Sequence, residues 1–149
     1  VDWNMANAYC AWADRRLLTE AEWEKAARGT DGNIYPWGND APNSNLLNYA
    51  DIVGDTTEVG KYPDGASIYG ALDMVGNVWE WVNDWYDSAY YAGSPESNPT
   101  GPNLLDGQYR VLRGGSWNIY FNYVRSADRD RYYPTGSNNF IGFRCASSP

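Results

Sequence analysis

Between Gly29 and Pro63 the chain never runs more than a few residues without a turn-former. "GTDGN", "PWGNDAPN" and "VGDTTEVGKYP" follow one another. Each places Gly, Pro, Asn or Asp where a backbone can reverse. Such a stretch completes neither a long helix nor a long strand, and residues 88–108 read as a second long loop. A chain of this kind folds only if its loops are pinned to a core. The material is present: eight Trp and thirteen Tyr, with aromatics at 16% and charged residues at 20%. Disordered chains are poor in aromatics. At 149 residues one domain buries about two-thirds of its unfolded surface.

Several classes of function are excluded. The formal net charge is −8, and no basic stripe is visible, which argues against nucleic acid. No apolar run approaches the length of a membrane span. Histidine is absent, which removes His-based triads and His-ligated zinc or non-haem iron. The chain opens at Val1 without a charged-then-apolar leader, and reads as a fragment or a processed product. Two cysteines, Cys10 and Cys145, lie near opposite ends. They are either buried thiols or one bridge. A bridge would close nearly the whole chain, worth roughly 5 kcal/mol on loop entropy, and would imply an oxidising compartment.

Residues 2–14, "DWNMANAYCAWAD", read as a helix capped by Asp2, with Met5, Ala8, Tyr9 and Trp12 as its apolar stripe. Residues 19–28, "TEAEWEKAAR", read as a second helix. Thr19 and Glu22 form a capping box, Leu18 and Trp23 a hydrophobic staple, and Gly29 the stop. "VWEWV" reads as a strand with Val78, Glu80 and Val82 on one face and Trp79 and Trp81 on the other. "YRVLRGGSW" and "IGFRCA" read as two more. The expected fold class is α+β, irregular and loop-rich, with two N-terminal helices and short strands.

The motifs "WNMANAYCAWADRRLLTEAEWEKAARG", "YPWGN", "YGALDMVGNVWEWVNDWY", "RVLRGGSW", "RSADR" and "IGFRCA" resemble, in this order and over residues 1–149, those of the formylglycine-generating enzyme (sulfatase-modifying factor) family. The resemblance implies a C-type-lectin-like fold stabilised by calcium, here without the family's N-terminal part. It also implies the pairing of Cys10 with Cys145, and hence an extracytoplasmic location: secreted, periplasmic or cell-surface. The family's oxidase holds copper(I) on two cysteines between "GGS" and the "R-x-A-x-R" motif, and thiolate is the soft ligand that ion needs. Here that segment is "WNIYFNYV", with neither Cys nor Met. The positions of the animal oxidase's second disulfide are Ala27 and Ser126. No copper or iron is therefore expected from this chain.

The family's calcium motif carries over to Asp73, Gly76, Val78 and Glu80, which supply carboxylates and carbonyls around a turn, as calcium prefers. A second site carries over to Asn48, Tyr49, Asp51 and Val53, with Asp55 as a competitor for Asp51. The segment from 118 to 140 has the composition of a paratope. Asn118, Tyr120, Phe121, Tyr123, Tyr132, Tyr133, Asn138 and Phe140 are its candidate binding residues, held by the spaced arginines between them. Its residue types match those reached from an Asn codon by changing adenines, as in retroelement-diversified lectin-fold proteins. The reading is a pseudoenzyme: a non-catalytic, calcium-stabilised recognition or assembly domain for a protein or glycan ligand or neighbouring subunits. The alternative is an oxidase or sulfoxide-synthase half whose metal ligands lie in sequence outside this chain.

Overall fold

A computed structural model describes residues 1–103 and 108–147. The part of the long 88–108 loop at residues 104–107 lies outside the described residues; before it, Tyr90–Ala92 form a 3₁₀ turn.

Helix α1 spans Trp3–Trp12, and Asp2 caps it by accepting from the Met5 N–H. Helix α2 spans Glu20–Arg28 with the full Thr19–Glu22 capping box, and ends at Gly29 with φ of 67°. Six short strands follow or intervene: β1 (Arg16–Leu17), β2 (Trp79–Trp85), β3 (Arg110–Arg113), β4 (Arg129–Tyr132), β5 (Ile141–Phe143) and β6 (Cys145–Ala146). The larger sheet has the order β4-β3-β2-β5, with β5 parallel to β2 and the other pairs antiparallel. The smaller pairs β1 with β6. The architecture is α+β, as expected, with most of the chain in ordered loops.

The alternation of β2 divides the core. Val82 and, on β3, Val111 face a cluster with Leu18, Trp23, Met74 and Val124. Trp79, Trp81 and Leu112 face a second cluster with Ala6, Cys10, Leu17 and Ile141. Leu18 and Trp23 meet in the first cluster as the staple requires. Cys10 and Cys145 form a disulfide with Cα atoms 5.5 Å apart, beside the β1–β6 pair.

Two expectations are corrected, and one element was not foreseen. The α1 stripe Met5, Tyr9 and Trp12 faces outward, at 62%, 54% and 80% exposure. The buried side is Ala6 and Cys10, with Trp3 packed alongside. Both stripes obey helical spacing. The choice falls to the one where Ala6 permits close approach, Cys10 reaches its partner and the Trp3 indole donates to the Val82 carbonyl at 2.8 Å. The C-terminal strand is two strands in different sheets, because Arg144 breaks away to a buried partner. Finally, "RDRY" forms β4, an element with no apolar alternation to announce it.

Candidate functional site

The segment after β3 is built to present side chains. Gly114 and Gly115, with φ of 94° and 79°, turn the chain out of the sheet. A Cβ at Gly114 would meet the Met74 carbonyl at 2.9 Å, so only glycine fits the passage. Ile119 and Val124 then point inward. Between them Tyr120, Phe121 and Tyr123 are 72%, 55% and 59% exposed on a 3₁₀ turn. Asn118 is half-buried and accepts from the Ser116 hydroxyl at 2.7 Å.

The expected five rings do not form one group. β4 runs between them, so Tyr132 and Tyr133 stand about 10 Å of strand away from the turn that carries the others. Tyr133 is 54% exposed and shares a hydroxyl–hydroxyl hydrogen bond with Tyr109 at 2.9 Å; that bond and the neighbouring phenol raise its pKa above the ordinary value. Tyr132 is half-buried, because it packs into the second core cluster with Phe140. Asn138 is exposed.

The loop is anchored by arginines. Arg113 is fully buried. It donates to the carbonyls of Ser126, Ala127 and Asp128 and pairs with Glu24. Arg129 pairs with both oxygens of Glu20 at 2.6 and 2.9 Å, and Arg125 with Asp128. Arg131 stacks against Tyr86 and Tyr109. The sequence reading gave Arg125 and Arg129 this role but missed Arg113, Glu20 and Glu24. Two acids four apart on α2 and an arginine on a buried strand face were the available signals.

The Asn48 loop underlies the aromatic turn. Ala50 and Asp51, both at positive φ, donate to the carbonyls of Ile119 and Trp117 at 2.9 and 2.8 Å. Asn48 is buried, and its Oδ1 has no partner. Its Nδ2 donates to the Asp55 carbonyl at 2.8 Å. An orphaned buried acceptor is what a hard cation would satisfy, so this loop fits calcium. Asp51 and Val53 are exposed, Tyr49 half-buried, and Asp55 uses its carboxylate on the Thr56 N–H.

The other candidate site is a cavity of about 190 Å³ lined by Asp73, Asn77, Val78, Glu80 and Arg144 among others. Gly76 lies at its turn with φ of 76°, where a Cβ would meet the Asn48 carbonyl at 2.5 Å. Here the fit is weaker. Both Glu80 oxygens are taken by Arg144, at 2.6 and 2.7 Å, and the Trp23 indole donates to one of them. Asp73 accepts from the Gly60 N–H. Asn77, which the sequence reading did not single out, joins the two sites: its N–H donates to the Asn48 carbonyl and its Oδ1 accepts from the Thr57 N–H, both at 2.8 Å. Among the described residues no three His, Cys, Asp or Glu side chains converge, so either site depends on amide and carbonyl oxygens.

Lectin-like loops pinned to a small mixed sheet by a terminal disulfide define the C-type-lectin-like fold. Residues 1–149 match the model of the sulfatase-modifying factor enzyme 1-like domain, and the chain belongs to that family. The formylglycine-generating enzyme of Streptomyces coelicolor is 41% identical over 167 residues, covering 99% of this chain and 51% of that enzyme; the chain thus spans about half of that relative's length. Among solved structures, PvdO from Pseudomonas aeruginosa superposes with a TM-score of 0.82 at 30% identity, over 96% of this chain and 58% of that one. Treponema denticola variable protein 1 superposes with a TM-score of 0.76 at 35% identity, over 91% of this chain and 48% of that one.

Proposed function

We propose that this domain is a non-catalytic, calcium-stabilised recognition or assembly module that works outside the cytoplasm. It presents Tyr120, Phe121 and Tyr123, and at a second point Tyr133, to a protein or glycan ligand or to a neighbouring subunit. The observation that carries the reading is the aromatic turn. Ile119, Val124, two glycines and Arg113 fix its frame, while three large rings within four residues face solvent. Exposed apolar patches of this kind mark interaction sites in folded proteins, and rigid aromatics make effective anchors. The likeness to a protein described as variable supports recognition over chemistry. So does the use of both cysteines in one disulfide, which leaves no thiol for copper. Asn48, with Asp51 and the carbonyls of Tyr49 and Val53, would hold a calcium ion that stiffens the loop beneath the turn. Asp73, Glu80 and the carbonyls of Gly76 and Val78 would hold a second only by sharing Glu80 with Arg144.

The test is a triple substitution, Tyr120→Ser, Phe121→Ser and Tyr123→Ser, compared with the wild type on glycan arrays and in sedimentation runs for self-association. Loss of binding or assembly with an unchanged melting temperature is expected, each good anchor being worth about 2 kcal/mol or more. Binding indifferent to all three substitutions sinks the reading. So does oxidation of a cysteine-containing sulfatase peptide to formylglycine by this chain supplied with copper.

A further inference from the structure

The aromatic surface leaves unused an open cleft of about 600 Å³ along the outer side of α2. Glu24, Lys25, Arg28, Tyr91, Ala127 and Arg129 are among its lining residues, and its volume is typical of small-molecule sites. Its charge is opposite to that of the chain, which carries 19 acidic against 11 basic residues. At the floor Arg129 pairs with Glu20, and Arg113 reaches both Glu20 and Glu24. At the rim Arg28 pairs with Glu24 at 3.0 Å and donates to the Gly32 carbonyl at 3.1 Å. Lys25 is exposed and makes no ion pair among the described residues.

The lining carries Lys25, Arg28 and Arg129 against Glu24; the buried Arg113 and Glu20 behind it cancel, and Asp31 adds one carboxylate beside Thr30. Lys25 and Arg28 occupy the last turn of α2, where they offset the helix dipole. That accounts for about half a charge, so part of the positive surplus remains for a ligand. The Tyr91 ring and the Ala127 methyl add an apolar wall.

We propose that this cleft binds a small organic anion: a carboxylate held by Lys25 and Arg28 on a body that packs against Tyr91 and Ala127. Each Arg28 terminal nitrogen keeps a second N–H beyond the one given to Glu24 or Gly32, Lys25 adds a point charge, and the wall gives the body its grip. The proposal is independent of the aromatic surface, so either can fail alone.

The probe is sodium benzoate, titrated into the ¹⁵N-labelled domain at constant ionic strength, with benzamide and sulfate as controls. Amides of Lys25, Thr30 and Ala127 should shift and saturate with a dissociation constant of about 1 mM, an affinity of about 4 kcal/mol. Lys25→Gln should weaken this roughly fivefold, as for one exposed charge contact. Arg28→Gln, whose released Glu24 keeps Arg113, should weaken it by about tenfold or more. Both variants should retain the wild-type melting temperature. The proposal falls if benzoate fails to saturate, if benzamide or sulfate binds the same amides as well, or if neither substitution changes affinity.

Discussion

Asp84 is 2% exposed, at the foot of α2, where it accepts the Glu20 N–H at 2.7 Å. Burial pushes its pKa up to about 6. The Glu20 N–H bond and the charges of Arg110 and Arg129 oppose that rise, and the Glu20 carboxylate adds to it. A carboxyl raised above its unfolded value favours the native state when protonated. The folded chain therefore holds the extra proton between about pH 4 and pH 6, and stability falls as pH rises across that window. The rise from 3.8 to about 6 amounts to roughly 2–3 kcal/mol. Asp84→Asn should flatten this part of the pH profile in urea melts while its amide oxygen still accepts the Glu20 N–H. A profile unchanged by the substitution would show that Asp84 ionises normally in the fold.

At the scale of elements, the same sequence rules succeed and fail for identifiable reasons. The α2 capping box was legible because every partner lies within four residues. The two faces of β2 were legible because alternation alone assigns them. The orientation of α1 was not, since its two stripes share one period and only the distant Cys145 and Val82 choose between them. β4 was hidden for a related reason: Arg129 and Arg131 take ion pairs and aromatic faces where a strand ordinarily shows apolar residues. The candidate metal residues were readable only through resemblance, and the orphaned Oδ1 of Asn48 only from the fold. The α1 assignment has a direct consequence. Trp12→Gln should change stability by less than about 0.5 kcal/mol in denaturant titrations, as for an exposed site. Ala6→Leu should cost about 1–3 kcal/mol by overpacking. Equal costs would mean that the helix packs by the other face.

For the molecule as a whole, calcium would act as a brace between loops. An ion that binds only the folded state at one hundred times its dissociation constant adds about 2.7 kcal/mol, or roughly 8 °C for a domain of this size. A chelator should lower the melting temperature by that order. Asn48→Ala should remove more of the effect than Asp73→Asn, since Glu80 of the second site already has Arg144. Coincident melts with and without chelator would exclude a stabilising ion. The disulfide has a different bearing, on mechanical load. A pull applied outside Cys10 and Cys145 travels through their sulfur–sulfur bond and never enters the polypeptide between them. Reducing the bond would release the 135-residue span between them, roughly 450 Å of extended chain. With the bond intact, tension passed from one flank to the other leaves the aromatic turn, which lies inside that span, unloaded.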